Sequence, residues 1–248
     1  MFPIIKISSE VQIPTYYLVI SLAVIICLMW VVRRSHQHHL RQQETLDLSL
    51  LIMVFGFIGG RLFHVFYESF DYYHENFSRI FYFWDGGFVF YGGALLAAFA
   101  GITYLYFKAH DQLEQYLDLL APVLALGYTL GRIACFFAGC CYGRSCELPW
   151  AIANRHPTQL YAVVWELGVL CVLLGLEKSR AHYAFFKIPG RIFYAWMILH
   201  GIGRLIMEAF RADFRGPTVE MSISTWISWG VIIFGLILLS KKPLDSDL

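Results

Sequence analysis

Charge is scarce in this sequence. Asp, Glu, Lys and Arg together make up 15% of its 248 residues, against roughly a quarter in ordinary soluble domains. That scarcity excludes a disordered chain, which needs high charge and low hydrophobicity to stay solvated, and excludes most water-soluble enzymes. Cysteine is sparse too: six residues are too few for a secreted disulfide scaffold. Neither sign of charge is in excess, with a net charge of +1 and an isoelectric point near 7.7, so no nucleic-acid partner is expected. Long linkers, low-complexity tracts and internal repeats are also missing, and 1–248 reads as a single integral membrane domain.

What fills the chain is apolar: 58% of residues are hydrophobic and the mean hydropathy is +0.57. A bilayer core needs about 20 mostly apolar residues per helix. Such stretches fall near 14–32, 47–67, 87–107, 117–138, 158–176, 191–210 and 222–240. The expected fold is all-α, a polytopic membrane bundle of seven transmembrane helices. The first stretch does not read as a cleaved signal peptide, because Arg33-Arg34 follows it where an A-x-A-like cleavage site belongs.

Basic residues set the expected orientation. Loops on one side carry Arg33, Arg34, Arg41, Lys108, Lys178, Arg180, Lys187, Arg191, Lys241 and Lys242; those on the other carry Lys6, Arg79, Arg144, Arg155, Arg211 and Arg215. The richer side is cytoplasmic by this rule, so the N-terminus is expected outside and the C-terminus in the cytoplasm. The longest outer connection, from Glu68 to Asp85, is aromatic and acidic and suits the membrane interface.

Three arginines remain inside spans: Arg61, Arg132 and Arg204. A buried arginine costs about 2.5 kcal/mol or more at mid-bilayer, so it normally faces a cavity. In the expected topology all three fall in the outer halves of their spans, as do Tyr91 and His156 at the outer starts of two others. Arginine forks match phosphate oxygens and keep their charge, so this layer suits an anionic phospholipid, with a histidine or tyrosine beside it as general base. Each residue also has a plainer reading. Arg61 can snorkel to the interface. Arg204 and Glu208, four residues apart, can form a helix-locking ion pair. His156 before Pro157 can begin a helix at the headgroups, Tyr91 can be a core aromatic, and His200, one turn before Arg204, can simply line a cavity. Paired glycines (Gly59-Gly60, Gly86-Gly87, Gly92-Gly93) and Gly127 with Gly131 permit close helix approach or broken turns.

Five motifs occur in order: GGRLFHVFYE, WDGGFVFYGG, GRIACFFAGCCYGR, HPTQLY and GRLIMEAFR. Together they resemble the bacterial prolipoprotein diacylglyceryl transferase family over about residues 14–240. The resemblance implies transfer of diacylglycerol from phosphatidylglycerol to the lipobox cysteine thiol of a preprolipoprotein signal peptide, forming a thioether at the outer face of a bacterial inner membrane. It implies catalytic roles for Arg132, Arg204 and His156, and substrate-binding roles for Arg61, Glu208, Gln159 and Tyr161; Tyr91 is a further catalytic candidate, and Arg211 and His200 are further substrate-binding candidates. The partners would be phosphatidylglycerol, preprolipoprotein signal peptides and membrane lipids. The nucleophile is a thiolate, so a base must take the thiol proton; this chemistry calls for no metal and no cofactor.

The chain departs from the family pattern at several positions. Tyr91 stands where many members have His, Cys135 and Ala138 stand at two Asn positions, and Cys140 and Ala162 stand at Glu positions. Two alternatives therefore stay open: a paralogous glycerolipid transferase with another acceptor, and a non-catalytic phospholipid-binding or transport protein. Cys140, Cys141 and Cys146 cluster at the outer end of the fourth span, where an oxidising compartment permits a disulfide of Cys140 or Cys141 with Cys146. Free thiols and, without a recognised spacing, zinc ligation are the other readings.

Overall fold

A computed structural model describes residues 4–6, 12–212 and 221–241. Two short strands, β1 (Ile4–Lys6) and β2 (Gln12–Pro14), pair antiparallel with Ile5 opposite Ile13. The helices among the described residues are α1 (Thr15–Gln37), α2 (Gln42–Phe63), α3 (Phe70–Glu75), α4 (Phe90–Lys108), α5 (Leu113–Ala138), α6 (Thr158–Lys178), α7 (Ala184–Lys187), α8 (Arg191–Phe210) and α9 (Ile223–Ser240). Seven stretches are long and apolar enough to cross a membrane: α1, α2 with its continuation to Glu68, α4, α5 with the turn from His110, α6, α8 and α9. The chain is an all-α polytopic membrane bundle, as its hydropathy implies. Met29, Phe99, Val164 and Ile233 are exposed in the manner of lipid-facing residues. Among the basic residues counted for orientation, Arg215 and Lys242 lie outside the described residues.

Two of these stretches begin earlier than hydropathy suggests. The second starts at Gln42 rather than 47, and so takes in Glu44 in addition to Asp47. These acids are held by hydrogen bonds: Tyr116 Oη donates to Glu44 at 2.8 Å and Tyr104 Oη to Asp47 at 3.2 Å. A paired carboxylate is tolerated where a bare one is not, and hydropathy alone cannot register the partner.

The chain forms two compact units, Met1–Val31 with Leu117–Leu248, and Val32–Tyr116. In the smaller unit, α2 and α4 pack backbone against backbone. A Cβ on Gly59 would stand 2.5 Å from the Gly92 carbonyl oxygen, and one on Gly93 would stand 2.6 Å from that of Gly56. Small residues are what allow such an approach in a membrane, where helix association rests on packing. The pairs Gly59-Gly60 and Gly92-Gly93 therefore build this contact.

In the larger unit, a core of Ala121, Ala125, Val169, Leu173 and Ile192 joins α5, α6 and α8. Trp165 fills the space left by Gly203, where a Cβ would come within 2.2 Å of its ring, and its Nε1 donates to the Leu199 carbonyl at 3.0 Å. Asp118 closes the far end of this core. Its carboxylate accepts from the N–H groups of Gly190 and Phe193, each at 2.9 Å, and pairs with Arg180. Those backbone donors belong to the first turn of α8 and have no partner within the helix.

Candidate functional site

Tyr128 lies one turn before Arg132 on α5, and the spacing of four puts both on one face. The Arg132 guanidinium carbon stands 4.7 Å from the Tyr128 ring centroid. The Tyr128 hydroxyl accepts from Nη1 of Arg204 at 3.4 Å. Two of the expected arginines therefore meet at one aromatic ring, one over its π-face and the other at its hydroxyl.

The same ring touches His200, which meets it edge-on with centroids 4.7 Å apart. Nδ1 of His200 stands 3.0 and 3.1 Å from the two carboxylate oxygens of Glu166. Trp196 donates to Glu166 from Nε1 at 3.1 Å and stacks on the imidazole at 5.2 Å. Glu166 is 1% exposed. A carboxylate accepts only, so Nδ1 carries a proton, and in the neutral tautomer the lone pair is on Nε2.

The segment 139–157 folds over the end of this unit as a small hairpin. Gly139 and Cys141 take left-handed backbone angles, with φ of 72° and 64°. Bridges pair Ser145 with Arg155 and Gly143 with Arg211, and a Cβ on Gly143 would stand 2.5 Å from the Phe210 carbonyl oxygen. Arg144 binds this corner from Nε to the Arg211 carbonyl at 3.3 Å. From the start of α6, Thr158 Oγ1 donates to the Cys141 carbonyl at 2.7 Å and Gln159 Nε2 donates to that of Cys140. Gln159 is 1% exposed, and its Oε1 has no hydrogen-bond partner among the described residues. These bonds gather the C-terminal ends of α5 and α8 with the N-terminal end of α6.

His156 sits in this corner, with Nδ1 at 3.2 Å from Tyr161 Oη and its ring 5.2 Å from that of Phe210. Tyr161 Oη also accepts from Trp150 Nε1 at 2.8 Å. Arg211 is buried. Glu208 accepts from the hydroxyls of Ser222 and Ser224, the latter at 2.7 Å, and Ser222 Oγ in turn accepts from the Thr225 N–H at 3.3 Å as the N-cap of α9. The carboxylate expected to pair along its own helix thus also ties α8 to α9.

Arg61 and Tyr91 belong to the smaller unit. Tyr91 is half-buried in the first turn of α4, its ring edge-on to Phe90. Arg61 is held by backbone carbonyls. It is 4% exposed, and its guanidinium donates to the carbonyls of Ile80, Gly86, Gly87, Arg79 and Tyr82. That uses every donor a guanidinium owns, so the side chain ties the connection 76–89 to α2. A cavity of about 460 Å³ lies beside it, lined by Arg61, His64, Tyr72, Tyr73, Arg79, Gly86 and Gly87.

The cysteines are unpaired among the described residues. Cys135, Cys140 and Cys141 bring their sulfurs within 4.8 Å of one another. Cys146, the partner the sequence suggested for a disulfide, is not in this group; its N–H is bonded to the Asn154 carbonyl at 3.0 Å across the hairpin. Hydrogen bonds from Cys135 and Cys140 hold the Cys141 thiol well below the usual range, with the charges of Arg211 and Arg132 adding to the effect. The same hydrogen bonding, joined by burial, pushes Cys140 up.

Four residues here escaped the sequence reading: Tyr128, Glu166, Ser222 and Ser224. Glu166 carried a usable signal, as the one acid within the apolar run 158–176.

Apolar spans that gather two arginines around a tyrosine and a carboxylate-held histidine define a multi-pass membrane protein. The chain belongs to the prolipoprotein diacylglyceryl transferase family, whose model matches residues 3–241, and it is a transferase. It is 28% identical over 247 residues to the phosphatidylglycerol–prolipoprotein diacylglyceryl transferase of Clostridium tetani, covering 95% of this chain and 96% of that one. It is 30% identical to the enzyme of that name from Finegoldia magna, over 96% of this chain and 95% of the relative. With that of Idiomarina loihiensis it shares 33% identity over 79% of this chain and 77% of the relative.

Proposed function

We propose that this chain moves the diacylglyceryl group of phosphatidylglycerol onto the lipobox cysteine thiol of a preprolipoprotein signal peptide. The carbon–oxygen bond between the glyceryl carbon and the phosphate breaks, a carbon–sulfur bond forms, and glycerol phosphate leaves. The thiol proton passes to a base. One observation carries this reading: Arg132 and Arg204 meet at Tyr128, with His200 on the same ring.

In this reading the two arginines bind the phosphate and stabilise the charge that gathers on it as the leaving group departs. Tyr128 keeps their side chains in place. His200 takes the thiol proton at Nε2, with Glu166 fixing the ring and stabilising the imidazolium that results. His156, whose Nδ1 is engaged by Tyr161, positions the segment 139–157 at the mouth of the site. Gln159 Oε1, buried and unpartnered, is an acceptor for a hydroxyl of the glycerol headgroup. Arg211 completes the substrate contacts, and Glu208 holds α8 to α9.

The excess of basic residues on one set of loops supports a plasma-membrane orientation with the N-terminus outside, which sets this site towards the outer face. The test is direct: full-length protein in detergent, phosphatidylglycerol and a lipobox peptide should yield a diacylglyceryl thioether by mass spectrometry. Phosphatidylglycerol recovered unchanged would favour a lipid binder, and consumption of lipid without peptide product would favour a different acceptor.

A further inference from the structure

We propose that Cys135, Cys140 and Cys141 form a binding site for a thiophilic d10 cation, copper(I) held by three sulfurs or zinc held by the same three and a water. The three sulfurs lie mutually within 4.8 Å. Sulfurs bound about 2.3 Å from a common metal stand about 4 Å apart in a trigonal or tetrahedral site. The thiols therefore close on a cation through sub-ångström shifts, without refolding of the chain.

The frame around them is fixed. Cys135 is on the last turns of α5, a rigid element, while Cys140 and Cys141 follow the helix end. Cys141 holds a φ of 64°, a left-handed conformation that is strained for a non-glycine residue. The backbone persists there because Thr158 and Gln159 bind the carbonyls of Cys141 and Cys140 from α6. A strained residue pinned from outside, with its sulfur delivered beside two others, is an arrangement that hydrophobic packing does not call for. Outer hydrogen bonds of this kind are what orient metal ligands.

Charge balance favours the same occupant. Three thiolates around a monovalent or divalent cation leave a net charge of −2 or −1. Arg132 and Arg211 both lie within electrostatic reach of Cys141 and offset it. On binding, each sulfur that still carries a proton releases it to solvent as its bond to the metal forms; no oxidant or reductant takes part. The soft donor set excludes magnesium and calcium, which select oxygen.

The test uses full-length protein purified in detergent under anaerobic conditions. Copper(I) is titrated against a chromophoric copper(I) chelator, and zinc, separately, against a zinc indicator. One equivalent of copper(I), zinc or both is expected to bind. Cys135→Ser, Cys140→Ser and Cys141→Ser should each weaken binding at least about a hundredfold, while Cys146→Ser and Cys171→Ser leave it unchanged. Undiminished binding in the triple variant would overturn the proposal. So would a wild-type protein that binds neither metal with its thiols counted as free, or one whose mass shows a disulfide among these residues. X-ray absorption on the loaded wild type needs no variant: it should show three sulfur scatterers at about 2.3 Å, and a shell of only nitrogen or oxygen would overturn the assignment.

Discussion

Nη1 of Arg204 stands 3.4 Å from the hydroxyl oxygen of Tyr128. The same tyrosine presents its face to Arg132 and its edge to His200, so three functional side chains from two helices share one scaffold. Tyr128→Phe keeps the ring and removes the hydroxyl. It should lower kcat/KM up to about tenfold, the scale of one hydrogen bond to a charged group. Tyr128→Ala removes both contacts and should cost at least ten times more. Steady-state rates with phosphatidylglycerol and a lipobox peptide check both.

Glu166 is buried against His200 and Trp196. Glu166→Gln is close in shape but leaves the imidazole without a carboxylate. The expected result is a fall in kcat of about ten- to a hundredfold with KM nearly unchanged. A rise in KM at constant kcat would instead make Glu166 part of substrate binding.

Arg61 donates to five carbonyls in the connection 76–89. Lysine has three donors on a point charge and cannot serve that set. Arg61→Lys should therefore destabilise the protein by about 2–4 kcal/mol, read as a lowered thermal transition in detergent. An unchanged transition with weakened phosphatidylglycerol binding would return Arg61 to the phosphate.

The thiols of the metal-free protein should differ in reactivity. The Cys141 thiol is held low by hydrogen bonds from Cys135 and Cys140, while Cys140 is pushed up. A lowered group stays ionised as the pH falls from 9 to 6, so alkylation of Cys141 by iodoacetamide should be nearly flat over that range. An ordinary thiol slows about tenfold per unit below its pKa. Peptide mapping after timed labelling should find Cys141 modified before Cys140.

Hydropathy made the seven spans legible, because apolar length is a property of consecutive residues. It placed the start of α2 late, because Glu44 is compensated by a tyrosine 72 residues away, and no local window contains it. The functional arginines were legible as charges stranded in apolar runs. What each one touches was not. Arg61 and Arg204 look alike in sequence, yet one is bound to backbone carbonyls and the other reaches a tyrosine hydroxyl. Tyr128 could have been found, since its spacing of four from Arg132 puts it on the same helical face. Ser222 and Ser224 could not, as a serine near a helix start reads as a cap whether or not a carboxylate from another helix also uses it. The cysteine group depended on the left-handed turn at Gly139 and Cys141, which brings together thiols that the sequence spacing alone leaves free to pair otherwise.

The central claim is that Arg132 and Arg204 act on the phosphate during transfer to a thiol. Its most direct measurement is thioether formation on a lipobox peptide by purified wild type, Arg132→Ala and Arg204→Ala, with folding of each variant checked by its thermal transition. Product is expected from the wild type, with a loss of at least about a hundredfold in kcat/KM in each folded variant. Full activity in either variant would contradict it.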